Sequence, residues 1–331
     1  MAAAQETARR SSATLATPLA SRKDQTIERP IVLLMPSFVS VPEKTLEHWS
    51  SQYITFRYRT RAALWWPAAG EDISIGLLPA RPGKAVQLEL KTTTVVAPGV
   101  HEVRIDLGQL WEYRQRRLGL QPFYAFPRPD PDWNGMLSAQ AAASGRAVTE
   151  LAYARSGSGW WFADWMVLLT AADVAWVLQA ELAAHGSRKR RKSAVLVRFE
   201  NAVPRWRSGR VPSSPIAWRE LWPALERCGH ADWPQLIRIP VSLLPNRNER
   251  SLSYEHVARL LWRAAEMDQG GHGGELVTLE PAGNGDYLIT SDPISITGGP
   301  DQGADAEENT SEDSDHRQIV FLDIRALSRQ G

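Results

Sequence analysis

Gln87-Leu88-Glu89-Leu90-Lys91-Thr92-Thr93 alternates polar and apolar side chains over its first five positions. Side chains alternate faces along a strand. Read as part of a strand over Ala85 to Thr94, it places Gln87, Glu89, Lys91 and Thr93 on one face. Val86, Leu88 and Leu90 then point to a core on the other. Two opposite charges on the polar side of an otherwise apolar strand are a specific arrangement. Upstream, Ile73 to Leu78 is apolar at nearly every position, and Arg81-Pro82-Gly83-Lys84 reads as a turn. The expectation is an antiparallel hairpin that brings the carboxylate of Asp72 near Glu89. Downstream, His101 to Leu107 alternates as a short strand, Leu107 to Leu118 reads as a helix ended by Gly119, and Gln121 to Phe126 as a further strand.

Two converging carboxylates repel and are costly to bury without a cation. A hard divalent ion resolves that, because Mg²⁺ takes one or two carboxylates with waters and phosphate oxygens. Lys91 is a poor ligand for such an ion. It suits holding or deprotonating an attacking water, or balancing charge in a phosphoryl transition state. Asp72, Glu89 and Lys91 thus form a minimum set for hydrolysing a phosphodiester, with Glu71 an alternative to Asp72 as ligand.

The ordered set of Asp72, then Glu89-Leu90-Lys91, then a helix carrying Gln109 and Tyr113 resembles the PD-(D/E)XK nuclease superfamily. The Gln-x-x-x-Tyr pair is similar to the helix motif of its RecB-like branch. The resemblance implies an α/β fold, a restriction-endonuclease-like mixed central sheet flanked by helices, and Mg²⁺ (or Mn²⁺) as cofactor. It implies Asp72 and Glu89 as metal ligands, Lys91 as the catalytic lysine, and Gln109 and Tyr113 as supports of the site or contacts to the substrate backbone. Glu47, on a helix read from Pro42 to about Thr60, matches a further acidic ligand that some members carry. Glu71-Asp72 stands where the family's name has Pro-Asp, and the resemblance covers roughly 100 to 140 residues of the 331.

The rest of the chain is organised around that core. Residues 1–29 read as a disordered leader, 30–186 as the nuclease-like core, and 187–297 as an α+β accessory region. Residues 298–317 read as an acidic disordered linker and 318–331 as a strand and tail that returns to the folded body. Thr170-Ala-Ala-Asp173 has the spacing of a capping box. Arg188 to Lys192 are five consecutive basic residues. Arg188, Lys189 and Arg190, with Arg114 and Arg117 on the Gln109/Tyr113 helix, are the candidate phosphate contacts. Arg205-Trp206-Arg207 and Arg210 interleave cations with an indole, as a single-strand binder does.

Composition narrows the classes further. Hydrophobic residues make up 43% and charged residues 23%, which excludes wholesale disorder. The net charge of +1 excludes a uniformly basic coat, though not a local basic face. One cysteine, Cys228, rules out an intramolecular disulfide framework and a multi-cysteine zinc site. No apolar run reaches the ~18 residues a span requires, so a cytoplasmic protein with no membrane partner is expected. No phosphate-loop lysine motif or nucleophile elbow is present. The expected function is metal-dependent hydrolysis of phosphodiesters, in DNA first. The alternative is a non-catalytic nucleic-acid-binding or interaction protein retaining the fold. A homodimer or a protein partner is left open.

Overall fold

The computed structural model describes residues 43–66, 78–97, 100–115, 120–127, 163, 166–185, 194–200, 203–206, 208–210, 215–246, 250–267, 275–282, 284–290 and 317–327. These residues belong to one compact unit, Phe38–Gly331. The fold is mixed α/β, a large mixed sheet flanked by helices.

The chain enters through helix α1 (Glu43–Tyr58) and a short strand β1 (Ala62–Trp65). Strand β2 (Gly83–Leu90) carries the Glu89 motif and is buried at every position. Strands β3 (Thr93–Ala97) and β4 (Val100–Asp106) then form a hairpin, and helix α2 (Leu107–Gln115) leads into β5 (Pro122–Pro127). β5 lies parallel to β2, as a connection of this length allows. β6 (Met166–Thr170) follows, then helices α3 (Ala171–Val177) and α4 (Gln179–His185). Thr170 caps α3 as its spacing predicts, accepting from the Asp173 amide at 3.1 Å and donating to Asp173 Oδ2 at 2.7 Å.

Later segments return to the sheets already begun. β7 (Ala194–Glu200) pairs with β4, and β8 (Val203–Trp206) with β7, making a second sheet in the order β3-β4-β7-β8. β9 (Ile216–Ala217) pairs with β6 and starts helix α5 (Trp218–Glu226). β10 (Gln235–Pro240) pairs with β2. β11 (Ser251–Ser253), helix α6 (Tyr254–Met267), β12 (Leu276–Pro281) and β13 (Asp286–Thr290) extend the same edge, in the order β11-β13-β12-β10-β2-β5-β6-β9. The boundary expected at residue 187 therefore falls within two shared sheets, because strands beyond it hydrogen-bond directly to strands before it.

The last strand, β14 (Arg317–Asp323), runs antiparallel between β1 and β2. This corrects the expected hairpin. One edge of β2 is occupied by β14 from Gly83 to Glu89. The other is shared by β10 at Gly83 to Val86 and β5 at Gln87 to Leu90. With both edges paired, β2 has no edge left for Ile73 to Leu78. It also moves Arg317 from the end of the expected linker to the first position of a central strand. The expected leader, residues 298–316 and the segment carrying Asp72 lie outside the described residues.

Alternation on β2 separates two cores. Val86, Leu88 and Leu90 pack under α1 and α5 with Trp49, Tyr53, Trp218 and Trp222. Ring contacts run from Tyr53 to Trp218 at 5.8 Å and from Trp218 to Trp222 at 5.2 Å. Indole and phenol rings bury a large area in such edge-on clusters, and Trp49, Trp218 and Trp222 are three of the chain's 14 tryptophans. On the opposite face, α2 and α3 cover Tyr124, Phe126, Val167 and Leu169. That is the side to which Glu89 points.

Candidate functional site

Glu89 is completely buried (0% exposed), and the structure surrounds it with polar groups from three elements. Lys91 follows the end of β2, with its amide still donating to Ala125 O at 2.9 Å, so the strand's alternation carries through it. Its ammonium lies 2.8 Å from Glu89 Oε1. On α2, Tyr113 donates its hydroxyl to Glu89 Oε2 at 3.1 Å. Its ring is held edge-on to Tyr124 at 6.4 Å. The Lys91 side chain retains 13% exposure, so the pair has a buried acidic end and a cationic end that meets solvent.

Gln109 sits half-buried one turn before Tyr113, on the first turn of α2. Its amide donates to Asp106 Oδ1 at 3.0 Å, so Asp106 caps the helix and fixes the direction in which Tyr113 projects. Glu47 is buried on α1, 2.7 Å from the Lys44 ammonium, in the helix that packs on the Leu88/Leu90 side of the sheet. Arg114 is exposed in the last turn of α2. Asp72, Arg117, Arg188, Lys189 and Arg190 lie outside the described residues.

Two residues missed by sequence reading belong to this neighbourhood. Arg317 is paired directly opposite Glu89 in the β14–β2 ladder and is 3% exposed. Residues directly opposite share a face, with Cβ atoms about 5 Å apart. Nothing near Arg317 in sequence marks it, because the signal is a long-range strand pairing. Glu43, the first residue of α1, accepts from the Thr92 amide at 3.1 Å and ties the start of α1 to the end of β2. Ser50 donates to Gln318 Oε1 and Gln318 Nε2 to Ser51 Oγ, each at 2.7 Å, so α1 is also sewn to β14.

Trp206 departs from its expected role. It is 4% exposed, packed with Val103 and Ile105, and is a core ring rather than a stacking surface.

Among the described residues, no group of three or more His, Cys, Asp or Glu gathers to hold a metal ion. Likewise no helix among them is long and apolar enough to cross a membrane. Compared with known proteins, the chain matches no family, no curated protein and no solved structure.

Proposed function

We propose that the chain is a metal-dependent nuclease acting on DNA, with a restriction-endonuclease-like core built on β2, α2 and β5. The observation that carries this reading is the convergence of Glu89, Lys91 and Tyr113, three side chains from two elements that the sequence pattern selected together. A buried carboxylate beside an ammonium is an expensive arrangement to keep for packing alone. It suits a site in which charge is balanced and then rebalanced around a phosphate.

The donor set fits a hard divalent ion in kind, since Glu89 offers carboxylate oxygens and Mg²⁺ binds through one or two carboxylates with waters and substrate oxygens. Glu89 would hold the ion, with Asp72 as second ligand. When bound, such an ion makes water more acidic and withdraws charge from the scissile phosphate.

Chain length is compatible with Asp72 joining the site. Leu78 packs with Ala85, Leu236 and Phe321, and Arg238 donates to Leu78 O and Pro79 O at 3.0 Å each. Ala85 shares a face with Glu89, so the segment is anchored on the Glu89 side. The six steps along the chain from Asp72 to Leu78 span up to about 20 Å when extended. Ala85 to Glu89 is about 13 Å along the strand.

Lys91, at the solvent-facing end of the pair, is the group placed to orient a nucleophile or meet the phosphate. Tyr113 holds the Glu89 carboxylate in one orientation, and Gln109 stands beside it on the same helix. The test is cleavage of single- and double-stranded DNA in Mg²⁺ or Mn²⁺, with chelator and Lys91→Ala as controls. Cleavage abolished by both supports the assignment; activity surviving both overturns it. Metal-independent DNA retention without cutting would favour the non-catalytic binder instead.

A further inference from the structure

Trp176, on α3, is 57% exposed, and it is not a loose ring. The Arg210 guanidinium lies over it, 4.9 Å from the ring centroid. Arg210 is itself fixed, donating from Nη1 to Trp176 O at 3.1 Å and to Gln179 Oε1 at 2.7 Å. A turn closes from Trp206 O to the Gly209 amide at 2.9 Å, with Gly209 at φ +74°, where glycine is favoured. Ser208 within it donates to Val177 O at 2.7 Å. The β8-to-Arg210 segment is thus fastened to the end of α3 at two points. One side of the indole carries a cation, and the ring keeps a large surface in water. Ordering such a ring before binding lowers the entropy lost on binding.

Positive charge continues along the chain from this pair. Arg205 is exposed on β8, one residue before the turn. A β-turn holds its end Cα atoms within about 7 Å, so Arg205 and Arg210 lie within about 15 Å. Arg104 is exposed on β4 of the same small sheet, on the face that carries Arg205 and, two positions along the strand, the buried Glu102. The acidic neighbour Asp173 is engaged by Thr170 in the α3 cap.

The geometry points to Trp176 and Arg210, with Arg205 and Arg104, as a stacking platform for single-stranded nucleic acid. A nucleobase stacks on the exposed indole, and the phosphates on either side meet the arginines. Stacking tolerates any base and backbone charge contacts are independent of sequence, so the platform binds DNA or RNA strands without base readout. Duplex ends its usefulness, because paired bases present no free face. The platform stands apart from the hydrolytic reading, since it requires neither Glu89 nor a metal ion.

The experiment is fluorescence anisotropy of labelled dT20 and rU20, with a blunt duplex, heparin and polyglutamate as comparisons. It uses the full wild-type chain in chelator, so that metal-dependent cutting plays no part. Trp176→Ala is expected to weaken oligonucleotide binding about tenfold while leaving heparin binding within twofold, and Trp176→Phe to retain most of the affinity. Arg205→Ala and Arg104→Ala should each reduce the slope of log affinity against log salt by about one. Unchanged melting temperatures confirm that the variants fold. Equal binding by Trp176→Ala and its parent, no oligonucleotide binding at all, or equal competition by polyglutamate would each overturn the platform. A platform that binds while the wild type cuts nothing would sink only the nuclease reading.

Discussion

Arg317 and Glu89 lie directly opposite one another across the antiparallel β14–β2 ladder, both buried on the same face of the sheet. The candidate site therefore draws on both ends of the described chain. Lys91 stays 2.8 Å from Glu89 when Arg317 is removed, so the loss is that of one of two cations on the face of a buried carboxylate, about 1–3 kcal/mol. Arg317→Met is expected to lower stability by that order in urea unfolding. Combined with Glu89→Gln it should cost less than the sum of the two single changes, with a coupling of about 1 kcal/mol or more. Strict additivity would show that the two groups do not interact.

Tyr113 contributes through one atom. Its hydroxyl donates to Glu89 Oε2, and its ring fills the core against Tyr124. Tyr113→Phe keeps the ring and removes the donor, leaving a buried acceptor short of one bond at about 1–3 kcal/mol. If the hydroxyl orients the carboxylate, cleavage should fall through kcat with KM little changed. Unaltered kcat would reduce Tyr113 to a packing role.

At Gly83, β14 crowds β2. A Cβ there would collide with the Leu322 carbonyl oxygen and the Phe321 ring. Backbone on the far side cannot swing away as a flexible side chain would, so Gly83→Ala must displace β14. The expected loss is about 1–3 kcal/mol, read as a lower melting temperature. A neutral Gly83→Ala would contradict the close approach.

Lys84 is buried on the α5 side of β2, its ammonium donating to Leu225 O near Cys228. Loss of solvation outweighs the Coulombic effect of Cys228 and Glu226 and lowers its pKa to about 8. The unfolded chain keeps that proton until near the ordinary lysine value of 10.5. Between those values the unfolded state holds more protons, so this group adds stability as pH rises from about 8 toward 10.5. Burial pushes the Cys228 thiol up, which acts in the opposite sense over part of the range. The comparison is therefore between wild type and Lys84→Met at each pH. Lys84→Met should be the more stable below pH 8, by about 2–3 kcal/mol, with the gap closing toward pH 10. A gap constant with pH would show that Lys84 does not titrate in this window.

Local chemistry was legible wherever it was written in neighbouring residues. Alternation on β2 placed Glu89 with Lys91, spacing of four placed Tyr113 one turn beyond Gln109, and Thr170 capped α3. The pairing of strands was less so. Ile73 to Leu78 and Ala85 to Thr94 look like a hairpin because hydrophobic pattern says which segments are strands, not which edges they meet. The competing partner, β14, is far away in sequence, and its pairing along seven positions of β2 decides the outcome. Trp206 shows the same limit on a smaller scale. An indole between arginines reads as a binding surface, yet strand alternation turns Trp206 inward and leaves Arg205 outside.

The proposed nuclease activity turns on Glu89 as a ligand for a hard divalent cation. Metal that binds only the folded state must raise its melting temperature. In a Mn²⁺ titration, wild type should melt several degrees higher at saturating metal than in chelator, and Glu89→Gln, which removes the charge while keeping the shape, should lose that increment. An equal Mn²⁺-dependent rise in Glu89→Gln, or none in the wild type, would show that Glu89 holds no such ion.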